Sequence, residues 1–280
     1  MSENCNHEID KRMKKEQMHV LPVGGLCNRL RVIKSTRQLS RDYNRPATIW
    51  WAVNRQMNTR FTDLFEYDRS MGFLLREGRL SSLFSRFLFS KYNTRWCDWQ
   101  EVNKFLSNFS NGKFNYLSTF TDFYKVNGGG YDFLMPKAHI AMKVAEWRSK
   151  LGDQSFGFHI RRTDNVKSIK FSPDDLFINK AKVLIENDNR VKFFLATDDS
   201  EVRTKFKRLF GGHCVTRDVA ERHSINGVED AVVDMLLLSS CKRGVYGSYW
   251  SSFSEVAAEV GRCPFEQLMV KDEVNHEQRI

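Results

Sequence analysis

Apolar and polar positions in the second half of the chain follow a strand–helix rhythm. Ser155–Ile160 (SFGFHI), Val191–Ala196 (VKFFLA), His213–Thr216 and Gly244–Gly247 (GVYG) are short apolar runs of strand length. Between them, Pro173–Asn187 predicts a helix with Ser172 as its N-cap and Pro173 at its first position. Ser200–Phe210, Val228–Cys241 and Ser252–Val260 predict three more helices. Alternation at this spacing implies right-handed βαβ units and a parallel sheet.

The first half opens the same way. His19–Val23 predicts a strand, Gly24-Gly25 a turn, and Leu26–Tyr43 a helix with Leu26, Leu30 and Ile33 on one face. Ala47–Val53 predicts a second buried strand. From Phe61 to Phe123 the aromatic residues keep no period, and no element is assigned. Asn127-Gly128-Gly129-Gly130 is the most flexible run, followed by a helix over His139–Leu151. With 280 residues, the length favours two domains. The expected division is a frayed tail over 1–17, an α/β domain over 18–150 and a second over 151–280, joined near 127–152 with a cleft between them.

Charge adds an asymmetry. The formal net charge is +10, of which residues 1–150 carry +11 and residues 151–280 carry −1. A basic first half suggests an anionic partner; a solvated basic surface is the competing explanation. Met1–Gln17 has no apolar core or small-residue cleavage site, so it does not read as a signal peptide. The longest apolar cluster, Met235–Leu238, falls far short of a membrane span. The six cysteines and seven histidines form no metal-ligand spacing, so structural thiols in a reducing, cytoplasmic setting and no metal site are expected.

Four segments carry candidate chemistry. Phe158–Asp164 (FHIRRTD) lies where a strand gives way to a loop, the place where parallel sheets bind ligands. Alternation points His159 and Arg161 to one side and Arg162 to the other. Two guanidiniums can fork onto a diphosphate, with Asp164 holding one of them; an ordinary surface pair is the alternative. Thr197-Asp198-Asp199 repeats the strand-end placement, and its carboxylates suit a ribose, a base or the arginines, or else a helix cap. Asp234 and the run Gly247-Ser248-Tyr249-Trp250-Ser251-Ser252 offer an acid and a helix-start anion seat, or simply a serine cap. Val23–Leu30 (VGGLCNRL) places Asn28 and Arg29 after a glycine turn, but it is neither a dinucleotide fingerprint nor a P-loop.

Taken together, HIRRTD (159–164), FLATDDSEV (194–202), VVDMLLLSSC (232–241), GSYWSSFSEVAAE (247–259) and GGLCNRLR (24–31) resemble the GDP-fucose-dependent glycosyltransferases. The likeness is to the nodulation and core α-1,6-fucosyltransferases, and more distantly to the α-1,2- and protein O-fucosyltransferases. It does not extend over residues 60–130.

The resemblance implies a GT-B-like α/β fold, with two Rossmann-like domains facing a cleft and GDP-sugar bound mainly by the second. It also implies an inverting, metal-independent transfer of L-fucose from GDP-fucose to a glycan hydroxyl, with no other cofactor. Arg161 then matches the essential arginine at the diphosphate, and His159 and Arg162 its neighbours in the nucleotide site. Asp198, Asp199 and Asp234 match acids around the guanosine and the arginines, and Ser251 and Ser252 match phosphate-side hydroxyls. Asn28, Arg29 and Asp164 complete the donor-site set. No residue stands out as general base; Asp63 and Glu66 in FTDLFEY are candidates. The missing stem, anchor and C-terminal extension argue against a Golgi core fucosyltransferase and leave the acceptor open. The rivals are transfer of another GDP-sugar, and a non-enzymatic module in which the basic, aromatic first half binds single-stranded nucleic acid. The second gains nothing from HIRRTD.

Overall fold

A computed structural model describes residues 18–81, 93–95, 99–111, 115–126, 129–218 and 224–270. The tail expected over 1–17, Asn127-Gly128, Cys5 and Cys97 lie outside the described residues. The chain divides into two compact units, Met1–Pro136 and Lys137–Ile280. The division falls within the stretch expected to carry the join but ahead of residue 150. The helix Ala138–Arg148 packs on a helix of the second unit.

The first unit comprises β1 (Met18–Pro22), α1 (Leu26–Asp42), β2 (Ala47–Ala52), α2 (Phe61–Leu64), β3 (Leu74–Gly78), β4 (Asn93–Arg95), α3 (Trp99–Ser110) and β5 (Asn115–Thr119). Its strands form one parallel sheet in the order β3-β2-β1-β5-β4. The turn after β1 uses its two glycines differently. Gly24 has φ +85°, and a Cβ there would come within 2.9 Å of Asn28 Nδ2, whereas one on Gly25 would meet nothing.

Helix α1 is polar yet sunk in the unit, with twelve of its seventeen residues buried, among them Arg29, Lys34 and Arg37. Several described aromatic residues in and around the unassigned stretch are core. Trp51, Phe61, Phe65, Phe73 and Phe133 are all buried, and Phe61 meets Trp51, Phe65 and Phe73 at centroid distances of 5.5, 5.1 and 6.3 Å.

The second unit comprises α4 (Ala138–Arg148), β6 (Phe156–Ile160), α5 (Val166–Phe171), α6 (Asp174–Asn187), β7 (Phe193–Thr197), α7 (Ser200–Phe210), β8 (Cys214–Thr216), α8 (Ile225–Ser240), β9 (Gly244–Ser248), α9 (Ser252–Gly261) and β10 (Phe265–Leu268). All five strands are parallel, in the order β10-β9-β6-β7-β8. Numbered within the unit, that is the mononucleotide-binding order 3-2-1-4-5 read from the other edge. The fold is therefore α/β with two parallel sheets.

One face of the second sheet is aromatic. Phe158 and Phe193 stand 4.9 Å apart, edge to face, and pack with Phe177 of α6 and Phe206 and Phe210 of α7. Burying such rings fully is worth roughly 1.5–3 kcal/mol each. The opposite face is thin where α8 and α9 cross it. A Cβ on Gly157 would meet the Leu238 side chain at 2.8 Å, and one on Gly247 would overlap Ser254 of α9.

Several boundaries differ from the sequence expectation for identifiable reasons. The strand expected from Val191 begins at Phe193, because the Val191 amide closes a turn onto the Asp188 carbonyl. Helix α8 begins at Ile225, ahead of the expected Val228, with the Ser224 hydroxyl capping the Gly227 amide at 2.9 Å. Ser172 is not the cap of α6. Pro173 takes that position, while the Ser172 hydroxyl donates to the Leu268 carbonyl and accepts the Tyr249 amide, at 2.6 and 2.8 Å.

Candidate active site

In the second sheet, β6 and β9 lie side by side, and the chain leaves them toward opposite edges. Such a switch point opens a crevice beyond the carboxyl ends of the strands. The loop Arg161–Asp164 leaves β6 there, and Tyr249–Ser251 leaves β9 to start α9. The two exits are tied, since the Arg161 amide donates to Ser248 Oγ at 3.2 Å.

The adjacent arginines are held quite differently. Arg162 has only 11% of its side chain exposed. Its Nε and Nη2 donate to Asp174 Oδ1 at 2.9 and 2.6 Å, Nη2 also to the Ser172 carbonyl at 2.7 Å, and Nη1 to the Arg161 carbonyl at 2.9 Å. Burial pushes the Asp174 carboxyl up, but Arg162 and Lys205 outweigh it and hold it below its ordinary value.

Arg161 by contrast makes one exchangeable pair, Nε and Nη2 to the half-exposed Asp164 at 2.8 and 2.9 Å. Its Nη1 has no partner among the described residues. Strand alternation thus separates an inward arginine that builds the loop from one that faces the crevice.

Asp198 holds this loop from β7. It accepts the Arg162 amide at 2.7 Å, the Thr163 hydroxyl at 2.7 Å and the Thr163 amide at 3.4 Å. Asp199 caps α7, its Oδ1 taking the Glu201 and Val202 amides at 2.7 and 2.9 Å. That is the helix-cap alternative the sequence left open, favoured because the first-turn amides need an acceptor.

On the β9 side, Trp250 adopts φ +57°, a left-handed conformation costing a non-glycine residue roughly 1–2 kcal/mol. Asn165 donates to its carbonyl at 3.3 Å, and the Lys167 ammonium lies 4.1 Å from the centre of its exposed ring. The bend sets Ser251 at the N-cap of α9, yet Ser251 does not cap the helix. Its hydroxyl instead pairs with His159 Nδ1 at 3.0 Å, and the His159 ring packs 4.8 Å from Phe253. The first-turn amides of α9 therefore lack a side-chain cap, and the Ser252 hydroxyl has no partner among the described residues. Uncapped helix amides beside an exchangeable arginine make a seat for an anion.

Asp234 lies on α8, paired with Arg217 at 2.8 Å. Burial pushes its carboxyl up to about 6 against the pull of Arg217.

The sequence-selected residues of the first unit serve a different purpose. Arg29 has no exposed surface. It donates to the Gly24 carbonyl, the Ala52 carbonyl and Asn54 Oδ1 at 2.9, 2.6 and 3.2 Å and lies 4.9 Å from the Trp51 ring centre. These contacts clamp the glycine turn to β2. Asn28 is half-buried beside Gly24. Asp63 accepts the Arg60 amide at the start of α2, at 3.2 Å, and Glu66 is exposed.

No protein-family model and no curated protein sequence matches the chain. Solved structures do. The NodZ α-1,6-fucosyltransferase soaked with GDP-fucose superposes with a TM-score of 0.63 at 16% identity, covering 88% of this chain and 93% of that one. The Arabidopsis thaliana FUT1 mutant in complex with GDP gives 0.62 at 13% identity over 94% of this chain and 74% of that one. POFUT1 in complex with GDP gives 0.56 at 9% identity over 91% and 99%. The chain shares the fold of these structures.

Within that fold, the side chains that sequence reasoning missed are those placed by distant contacts. Asp174 is a first-turn acid of α6 that only the fold brings to Arg162, and Arg217 follows an edge strand of three residues. Burial holds the Cys214 and Cys241 thiols near 12, and the four described cysteines form no disulfide among the described residues. Among the described residues no cluster of His, Cys, Asp or Glu is arranged to hold a metal, and no helix is long and apolar enough to cross a membrane.

Proposed function

We propose that this protein transfers L-fucose from GDP-fucose to a glycan hydroxyl, with inversion and without a metal ion. The observation that carries the reading is Arg161. It sits at the switch-point crevice of a mononucleotide-order sheet, held by one exchangeable carboxylate, next to the uncapped start of α9. In the transfer, the acceptor oxygen bonds to the anomeric carbon as that carbon's bond to the β-phosphate oxygen breaks. The bonding pair goes to GDP, and the acceptor proton passes to a base or to water.

Negative charge grows on the β-phosphate as GDP leaves. A preorganised guanidinium and helix amides stabilise it there, which is the role a metal would otherwise fill. In this reading Arg161, His159, Ser251 and Ser252 meet the donor. Arg162, Asp164, Asp198 and Asp199 act by holding the loop and the helix that shape its seat. The same fold in structures described with GDP and GDP-fucose supports the choice of donor.

The nucleic-acid alternative loses ground on α1, whose bases turn inward. Arg37 pairs with Asp132 at 2.8 Å and Lys34 with Asp122 at 3.1 Å, while Arg29, fully buried on carbonyls and Asn54, carries one charge of the +11 inside the unit. The test is a donor panel of GDP-fucose, GDP-mannose and UDP-sugars against a glycan array, with and without EDTA, and NMR assignment of the product anomer. GDP-fucose turnover that survives EDTA and gives the opposite anomeric configuration is expected. Preference for another sugar nucleotide, or loss of turnover on chelation, contradicts the proposal.

A further inference from the structure

The donor reading leaves one unfavourable residue without a task. Trp250 is 60% exposed and holds a left-handed backbone, φ +57°. A large ring left in water and a strained backbone both cost stability, so this position gives it up twice. Strain of this kind persists only where the surrounding structure enforces it, and it gathers at binding sites.

Here the short helix α5 enforces it. Asn165 donates from Nδ2 to the Trp250 carbonyl at 3.3 Å, while its Oδ1 accepts the Ser168 amide at 3.0 Å and caps α5. Ser168 in turn donates to the Tyr249 carbonyl at 2.5 Å. The Tyr249 ring lies parallel to the indole, 6.1 Å away, and stands edge-on to the buried Phe171 at 5.4 Å. The indole is therefore a fixed platform. Its cover is slight, the Lys167 ammonium 4.1 Å from the ring centre, and a cation on an exposed ring contributes little. On the same helix Val166 and Ile169 are exposed as well.

The place of this platform along the sheet says what it receives. Ser251 and Ser252, assigned above to the donor, follow Trp250 directly. In a sheet of this order the first βαβ unit binds the nucleoside, here the one from β6 to β7. Trp250 and α5 lie toward the other edge: the Ser172 hydroxyl joins the Tyr249 amide to the Leu268 carbonyl of β10, and the Val270 amide donates to the Phe171 carbonyl. A diphosphate at Arg161 then leaves its sugar end, and the hydroxyl that takes the sugar, on the Trp250 side. The C–H groups on one face of a pyranose are weakly positive and the indole face is negative, so a sugar lying flat there keeps its hydroxyls in water.

We propose that Trp250 is the platform of an acceptor subsite, stacking one pyranose ring of the glycan beside the anion seat, with Lys167 swinging off the indole as the sugar arrives. The proposal rests on the reading of the protein as a glycan transferase that uses a GDP-sugar.

The experiment is saturation-transfer NMR and titration of cellotetraose, mannotetraose and chitotetraose onto the GDP-bound protein. It compares the wild type with Trp250→Asn, Trp250→Phe and Lys167→Ala, with calorimetric GDP affinity and melting temperatures in parallel. Asparagine tolerates left-handed backbone, so Trp250→Asn removes the ring and keeps the bend. The wild type should bind at least one of the three, with contacts to the C–H groups of one pyranose face. Trp250→Asn should weaken that binding about tenfold, Trp250→Phe should keep most of it, and Lys167→Ala should bind at least as tightly. GDP affinity should not change in Trp250→Asn, and its melting temperature should stay within about 2 °C of the wild type.

Undiminished glycan binding in Trp250→Asn, or no binding of any of the three by a wild type that binds GDP, refutes the proposal and leaves the donor reading standing. Loss of GDP affinity in Trp250→Asn refutes it too, by placing the ring in the donor seat, and loss of glycan binding in Lys167→Ala does so by assigning the contact to charge. A wild type that binds no GDP sinks the donor reading instead.

Discussion

Replacing Arg161 and Arg162 by alanine, one at a time, should separate function from stability across a single peptide bond. Arg162→Ala removes four side-chain hydrogen bonds, to three partners, from a nearly enclosed position. It leaves two carbonyls short of a donor and Asp174 with only Lys205, 3.2 Å away. Each orphaned acceptor costs about 1–3 kcal/mol, and breaking a buried pair costs about 3–5 kcal/mol. Because Lys205 remains, a total of about 3–5 kcal/mol is expected. At roughly 2–4 °C per kcal/mol for a domain of this size, that lowers the melting temperature by about 6–20 °C.

Arg161→Ala removes one pair whose members are 21% and 48% exposed. Such pairs contribute about 0.2–1 kcal/mol, so melting should fall by less than about 4 °C. Turnover, however, loses its main leaving-group charge stabiliser, a loss of about 10²-fold or more. The assays are differential scanning fluorimetry and single-turnover GDP release from GDP-fucose. An Arg161→Ala enzyme of near-normal turnover, or an Arg162→Ala protein that melts like the wild type, refutes the division of labour drawn from these contacts.

Two further outcomes follow from the first unit. Gly24→Ala should destabilise by about 1–2 kcal/mol, because φ is +85° and the new Cβ crowds Asn28, whereas Gly25→Ala should be near neutral; equal melting temperatures for the two would contradict the turn geometry. Burial holds His19 down to about 4, and Trp50 Nε1 donates to its Nδ1 at 3.3 Å, a bond that needs the neutral ring. The unfolded chain takes up this proton below its ordinary value of 6.5, so stability should decline as pH falls from about 6.5 toward 4 and this contribution should then level off. Urea unfolding of His19→Asn should show a shallower decline over that window, and an unchanged slope would show that His19 titrates normally.

How much of this was legible in the sequence depended on burial and on distance along the chain. Strands β6 and β7 are covered on both faces and read as continuous apolar runs, so both were anticipated to within two residues. Strands β3 (LLREG) and β10 (FEQL) are edges, partly exposed and polar, with no contrast to detect. Phe61, Phe65, Phe73 and Phe133 line one core from short turns and a four-residue helix, which imposes no period on the sequence. HIRRTD and SYWSS lie at strand exits, where the alternation places them. Alternation already separated Arg161 from Arg162, but nothing local named Asp174 as the inward partner. Charge alone does not separate surface from interior on α1, where Arg29, Lys34 and Arg37 are internal struts.

The most direct test of the central claim is the position of the diphosphate in a crystal structure determined with GDP. The account places the β-phosphate between the Arg161 guanidinium and the first-turn amides of α9, within hydrogen-bond distance of Ser252, with Asp164 released from Arg161 or sharing it. A diphosphate seated elsewhere on the protein, or an Arg161 still closed on Asp164 with GDP bound out of its reach, would contradict it.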